Sequence, residues 1–178
     1  MKKLAKIFAV VMVCVLAVAV LVACGPNTNY DKAQKNLEKN DYTVVTAVKK
    51  GDTGAAIAFA GPAAQFDIKV DDIESMLYAT SKDAKDSISI MWLASYDVAK
   101  KVYYKMKDNF DTAKETSQKN LDEMKANMKD LSGKDKEDAQ KLYDAAKELH
   151  DARFVNTVVG KSGNVVYTGT KDAIKATK

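Results

Sequence analysis

The first 23 residues of this chain comprise 20 apolar residues and three lysines, with no acidic residue among them. Lys2, Lys3 and Lys6 precede an apolar run that extends from Ile7 to Ala23. Without those lysines the remaining 155 residues contain 25 basic and 24 acidic side chains, a formal charge of +1. Nucleic-acid-binding domains are typically basic, with lysines and arginines clustered on one face. We therefore expect no nucleic-acid partner.

A cationic start followed by an apolar run is typical of a secretory signal peptide. The alternative is an uncleaved membrane anchor, because Ile7–Ala23 provides 17 apolar residues. That length lies at the short limit for a membrane-spanning helix, which needs about 20 residues. The sequence therefore favours a signal peptide over residues 1–23 that is removed after Ala23.

The end of this segment, Leu21-Val22-Ala23-Cys24, resembles the lipobox of bacterial lipoproteins, and the resemblance covers residues 1–24 alone. It implies that the Cys24 thiol receives a diacylglyceryl group and that the chain is cut between Ala23 and Cys24. In that family the new amino group can be acylated as well, so the lipid would comprise two or three fatty acids such as palmitate. Two or three acyl chains hold a protein stably on a membrane, at about 0.8 kcal/mol per buried CH₂ group. Cys24 is thus the predicted lipidation site, and the predicted location is the extracytoplasmic face of the cell membrane.

The chain contains two cysteines, Cys14 and Cys24. Cys14 lies in the segment predicted to be removed and Cys24 is predicted to carry lipid, so the mature domain would have no free thiol. A disulfide, a thiolate nucleophile and a cysteine metal site are then excluded from it. We expect no metal and no cofactor, and we expect stability to come from a packed core.

Residues 24–28 are predicted to form the lipidated N-terminus and a short polar linker, which spans about 14 Å at most. Residues 29–178 are predicted to form a single α+β domain. β-Branched runs and alternating patterns predict strands over 42–48, 73–80, 87–94, 154–159 and 165–168. The predicted fold is an antiparallel sheet of about five strands with helices packed on it.

Apolar residues spaced three or four apart predict a long helical hairpin. Its first helix follows Ser95 as N-cap and extends to Leu131, although the scarcity of apolar residues over 111–120 permits a break there. Its second helix covers 134–151. Shorter helices are predicted after Asn29 as N-cap, over 53–60 with Pro62 opening a second turn, and over 170–176.

Residues 91–97 and 166–172 share one pattern at an offset of 75 residues. Each has a strand, a small residue, a hydroxyl N-cap (Ser95 or Thr170) and an Asp in the first helical turn. This similarity predicts two β-hairpin–helix units within one antiparallel sheet. Chance convergence on a common capping pattern is the alternative.

His150 is the only histidine of the chain. It closes the polar side of a predicted helix that carries Lys147 and Glu148, so we expect a solvated surface position. A Ser-His-Asp triad is formally possible, but the chain has no Gly-x-Ser-x-Gly elbow. Lys161-Ser162-Gly163 superficially resembles an element of penicillin-recognising enzymes. Those enzymes need a Ser-x-x-Lys nucleophile, which this chain lacks, so a hairpin turn is the better interpretation.

Four acidic residues cluster outside the predicted helices: Asp67, Asp71, Asp72 and Glu74. They could supply oxygen ligands for Ca²⁺ or the paired acids of a glycosidase. Their spacing does not match an EF-hand loop, which needs a central Gly and a terminal Glu. A solvated loop is the expected arrangement.

Aromatic residues could line a sugar- or peptide-binding face, and the candidates are Tyr78, Trp92, Tyr96, Tyr103, Tyr104 and Tyr167. Core packing is expected for at least half of them, because Trp92 and Tyr167 fall on predicted strands beside Ile90 and Val165. The helical hairpin over 97–151 is either a docking surface for another envelope protein or a layer that covers the sheet.

The function these features favour is a lipid-anchored, non-enzymatic binding or protein-interaction module at a bacterial cell envelope. Its partners would be the membrane, through the lipid on Cys24, and an unidentified envelope protein or small ligand. One alternative is an envelope hydrolase that uses carboxylates such as Asp71 and Glu74 with His150. The other is a purely structural spacer. The residues that bind the ligand are left open by the sequence.

Overall fold

The computed structural model describes residues 25–178, so the predicted signal peptide and the lipobox residues lie outside the described part of the chain. In chain order the elements are α1 (Tyr30–Lys39), β1 (Tyr42–Lys49), α2 (Ala55–Phe66), a 3₁₀ turn (Val70–Asp72), β2 (Ile73–Ser81), β3 (Ser87–Leu93), α3 (Tyr96–Met128), α4 (Gly133–Phe154), β4 (Thr157–Ser162), β5 (Val165–Thr170) and α5 (Lys171–Ala176).

The five strands form one antiparallel sheet in the order β1-β2-β3-β5-β4. This confirms the predicted α+β class with helices packed on the sheet. The fourth strand begins at Thr157 rather than at Phe154, because Phe154 still belongs to α4. There its ring packs on the ring of Phe110 at a centroid distance of 5.2 Å.

Two helices differ from their predicted courses. α2 is a single helix from Ala55 to Phe66 with Pro62 inside it, because Phe59, Ala63 and Phe66 are buried in the core. That burial outweighs the cost of a proline in a helix, about 3 kcal/mol relative to alanine. α3 continues without a break through 33 residues. Within the apolar gap of its sequence, the Ser117 side chain is buried and makes a polar contact to the facing helix.

Contacts within the chain divide the described residues into two compact units. The sheet unit consists of residues 25–108 and 157–178, and the helical unit consists of residues 109–156. α3 begins in the sheet unit and ends in the helical unit. The expectation that residues 29–178 form one domain stays a prediction.

Helices cover both faces of the sheet within the sheet unit. On one face, α1 and α5 pack on a core that includes Leu77, Ile90 and Tyr167. On the other face, α2 and the start of α3 pack on Met91 and Val166. In the helical unit, contacts of Phe110 with Phe154 and of Ser117 with His150 show that α3 and α4 run antiparallel, as predicted for a hairpin.

The two β-hairpin–helix units predicted from the 75-residue offset are present. β3 pairs with β5 so that Met91 lies directly opposite Val166, its counterpart at that offset. The backbone N–H of Val98 donates to Ser95 Oγ at 3.3 Å, and that of Ala173 donates to Thr170 Oγ1 at 3.3 Å. The pattern thus encodes the same strand-to-helix turn twice, although α3 and α5 then pack on opposite faces of the sheet.

Candidate functional site

Three of the four clustered carboxylates interact with a nearby partner, and no two of them share one. Asp67 Oδ2 lies 2.8 Å from Lys101 Nζ, and this ammonium group holds the pKa of Asp67 below its usual value. Asp72 Oδ2 accepts the N–H of Lys69 at 2.9 Å, and Glu74 Oε1 lies 3.1 Å from Lys50 Nζ. These three side chains therefore do not converge on one partner. The expected solvated loop is wrong for Glu74, which lies on β2, while Asp71 and Asp72 lie in the 3₁₀ turn.

Lys50 Nζ also donates to the backbone oxygen of Asp71 at 2.8 Å. Within residues 25–178 no group of three or more histidine, cysteine or acidic side chains could hold a metal ion.

His150 is buried, with 7% of its surface exposed, so the predicted surface position is wrong. Its Nδ1 atom lies 3.0 Å from Ser117 Oγ, and its ring packs on Phe154 at 5.0 Å. Ser117 occupies a position within the apolar stripe of α3 and is itself only 4% exposed. A polar residue in such a stripe needs a buried partner. This requirement was the sequence signal for a polar contact across the hairpin.

The Ser117–His150 pair combines a hydroxyl with an imidazole, but its setting is structural. Both side chains are buried in the interior of a helical hairpin, where a substrate has no access to the hydroxyl. An acyl-transfer site also needs free backbone donors that face the developing oxyanion, whereas the N–H groups in the interior of a helix donate to carbonyls four residues earlier. Asp71 and Glu74 belong to the sheet unit, where Lys50 contacts both residues.

The stability of the protein should fall as the pH drops through about 6.5, the usual pKa of histidine. Burial lowers the pKa of His150, with further lowering by Lys114 and Lys147 and an opposing effect of Asp151. Between the usual pKa and the lowered pKa of His150, the unfolded chain binds a proton that the folded chain does not, so the free energy of unfolding decreases as the pH falls. Above the usual pKa both states are neutral and the stability is fully retained.

This dependence is measured by urea denaturation between about pH 7.5 and pH 5. His150→Gln is the control, because it removes the only histidine and leaves the acidic groups unchanged. The variant should lose most of the slope in this range. An equal slope in both proteins would contradict the assignment to His150.

Three of the candidate aromatic residues are exposed and three are not. Trp92 and Tyr167 are core residues, which confirms the expectation for them, and Tyr103 is half-buried. The exposed fractions are 40% for Tyr78, 57% for Tyr96 and 54% for Tyr104. Tyr78 lies on β2 and Tyr96 begins α3, while the Tyr104 ring contacts Tyr103 at 5.3 Å. Tyr78 and Tyr96 therefore lie on different elements of the sheet unit.

The predicted linker packs on the sheet unit. Pro26 is buried, and the N–H of Asn27 donates to Thr177 Oγ1 at 3.0 Å. The indole N–H of Trp92 donates to the backbone oxygen of Thr28 at 2.6 Å. Residues 25–28 are therefore part of the folded unit, and we call them the N-terminal clasp.

The Lys161–Asn164 segment ends β4 and contains the turn to β5, as the sequence predicted. Gly163 has a φ of 61°, a left-handed conformation that glycine adopts without strain. The Asn164 amide donates to the backbone oxygen of Leu93 at 2.7 Å. Lys161 Nζ lies 3.6 Å from the centroid of the Tyr96 ring, a cation–π contact.

One face of the sheet changes from apolar to hydroxyl-bearing residues along its strands. Near the β4–β5 turn it carries an apolar row that pairs Val48 with Met76, Met76 with Met91 and Met91 with Val166. Toward the other end of the strands, the next two cross-strand rows of β1, β2 and β3 carry hydroxyl groups. We call these residues the hydroxyl face: Thr43, Thr46, Tyr78, Thr80, Ser87 and Ser89.

The hydroxyl face is accessible at the sheet surface. Tyr78 stands between Thr46 and Ser89 in register, and Thr80 stands between Thr43 and Ser87. Thr43 and Tyr78 are exposed, whereas the other four side chains are half-buried. None of the six is charged. An uncharged set of hydroxyl groups around an aromatic ring can hydrogen-bond and stack on a neutral polar ligand.

The helical unit presents a mixed surface. A shallow depression of about 620 Å³ on α4 is lined by residues that include Asp144, Lys147 and Val155. Val155 is 60% exposed and Leu149 is 45% exposed. The interpretation of the hairpin as a docking surface stays a prediction.

No protein-family model, no curated protein and no solved structure matches this chain. From Gly25 onward, no helix is both long enough and apolar enough to cross a lipid bilayer.

Proposed function

We propose that this protein is a bacterial lipoprotein that is anchored through Cys24 on the extracytoplasmic face of the membrane and acts as a non-enzymatic binding module. The lipobox-like sequence Leu21–Cys24, at the end of a cationic and apolar segment, carries the anchoring part of the proposal. The hydroxyl face supports the binding part. The separate partners of Asp67, Asp72 and Glu74, and the burial of His150, weigh against the alternative of a hydrolase.

The ligand we propose is a neutral, hydroxyl-bearing molecule such as a glycan chain. A serine or threonine hydroxyl has one donor and two acceptor positions. The Thr80 hydroxyl already donates to the backbone oxygen of Asp86 at 3.2 Å, so it offers a ligand its acceptor positions. Such groups match the hydroxyls of a sugar without requiring a charge. The exposed ring of Tyr78 provides an apolar surface between them on which a sugar ring can stack. An envelope protein is the other partner that a surface of this kind can bind.

Tyr78→Ala should weaken glycan binding by about tenfold. The lost ring contact is estimated at about 1.4 kcal/mol, which corresponds to a factor of ten in the dissociation constant. The measurement is calorimetric titration of the lipidated protein with an oligosaccharide of N-acetylglucosamine.

The matched control is Tyr104→Ala, which removes an exposed tyrosine from a helix instead of the hydroxyl face. Its affinity should equal that of the wild type. No detectable binding by the wild type, or equal losses in the two variants, would show that the hydroxyl face is not a glycan site.

A further inference from the structure

The N-terminal clasp determines where the chain leaves the folded unit. A Cβ atom at Gly25 would lie 3.0 Å from Ser162 Cβ and 3.4 Å from Tyr167 Cε1. Gly25 therefore touches the end of β4, directly beside the β4–β5 turn. Cys24 is bonded to Gly25, and the Cα atoms of consecutive residues are about 3.8 Å apart. A lipid on Cys24 must start within a few ångströms of this turn.

The clasp has few degrees of freedom for swinging away from that position. Buried Pro26 follows Gly25, and the hydrogen bonds of Asn27 to Thr177 and of Trp92 to Thr28 hold the next residues on the sheet unit. A flexible linker would let the domain tumble above the membrane. A docked linker instead fixes which end of the domain faces the lipid.

Two residues beside this exit, Tyr96 and Lys161, are of the kinds found at membrane interfaces. Tyr96 is 57% exposed, and the Lys161 ammonium group lies against its ring. Tyrosine and lysine combine an apolar body with a polar tip, and both are favoured at the level of lipid headgroups. Gly163 and Asn164 are exposed at the same turn.

From this geometry we infer that the end of the sheet unit formed by Tyr96 and the Lys161–Asn164 turn rests on the lipid headgroups of the membrane that holds the anchor. The inference rests on the lipid anchor of the proposed function. The Ser81–Asp86 loop joins β2 and β3 at the opposite end of the strands, so it points away from the membrane. The hydroxyl face lies on the half of the sheet nearer that loop.

The test uses two variants of the lipidated protein, each of which carries one fluorophore, at one end of the sheet unit or at the other. In that protein the Cys24 sulfur is in a thioether, so an introduced cysteine is the only free thiol. Asp97→Cys lies beside Tyr96, and Asp83→Cys lies in the Ser81–Asp86 loop; both positions are exposed. The proteins are reconstituted in phosphatidylcholine vesicles that contain headgroup-spin-labelled lipid, and quenching is measured.

Quenching should be several-fold stronger at position 97 than at position 83. Mass spectrometry of the same samples verifies the acyl chains. Equal quenching at the two positions, or stronger quenching at position 83, in protein that carries the lipid overturns the inferred orientation and leaves the anchor intact. Absence of acyl chains at Cys24 overturns the proposed anchor, and the inference fails with it.

Discussion

Cys24→Ala should abolish the incorporation of labelled palmitate and leave residues 1–23 on the protein. The lipobox resemblance implies that the thiol must receive its diacylglyceryl group before the chain is cut. Without the sulfur, neither the fatty acids nor the new N-terminus can form. The apolar run Ile7–Ala23 would then still hold the precursor at the membrane. The measurement is therefore the intact mass and the radioactive label, rather than cell fractionation.

Cys14→Ala is the matched control, because it removes the other cysteine from the segment that is predicted to be discarded. It should be acylated and cleaved like the wild type. Two results would contradict the anchor: a wild-type protein that retains Met1, or a mature N-terminal cysteine with an unmodified thiol.

Gly169→Ala is expected to destabilise the sheet unit by about 1–3 kcal/mol, the usual cost of inserting a methyl group where no space exists. A Cβ atom at Gly169 would lie 2.5 Å from the backbone oxygen of Ser87 and 2.8 Å from Ile88 Cα. These are backbone atoms of the adjacent strand β3, so no side-chain rotation can relieve the contact. The strands must separate locally, at the centre of the sheet.

Thermal denaturation followed by circular dichroism measures this effect, with an expected fall in Tm of about 2–4 °C for each kcal/mol. Gly61→Ala serves as the control, because a Cβ atom there meets nothing within 4 Å. A loss in Gly169→Ala no larger than that in Gly61→Ala would show that β3 and β5 are not packed as closely as described.

Local patterns in the sequence predicted the sheet and its strand-to-helix turns. Asn29, Ser95 and Thr170 all act as N-caps, since one hydroxyl or amide oxygen can satisfy a free helical N–H wherever it occurs. The helix through Pro62 was not predictable in this way. Its stability depends on burial of Phe59 and Phe66, which residues distant in the chain provide.

The candidate site likewise combines features that local residues determine with features that depend on distant residues. The β4–β5 turn followed from its own residues, whereas the burial of His150 depends on Ser117, which is 33 residues away. The hydroxyl face was missed for a related reason. Its six residues come from three strands, and only the register of β1, β2 and β3 brings them onto one surface. Tyr78 was its only member singled out by the sequence.

The ends of the described chain meet, and this contact sets an order on biosynthesis. Thr177 is fully buried, its hydroxyl accepts from the N–H of Asn27, and its backbone oxygen accepts from the Asn36 amide. The side-chain amide of Asn40 donates to the backbone oxygen of Ala176. Asn27, Asn36 and Asn40 therefore cannot make these contacts until residues 176 and 177 have been synthesised. The contacts that close this end of the sheet unit are thus among the last that the growing chain can form.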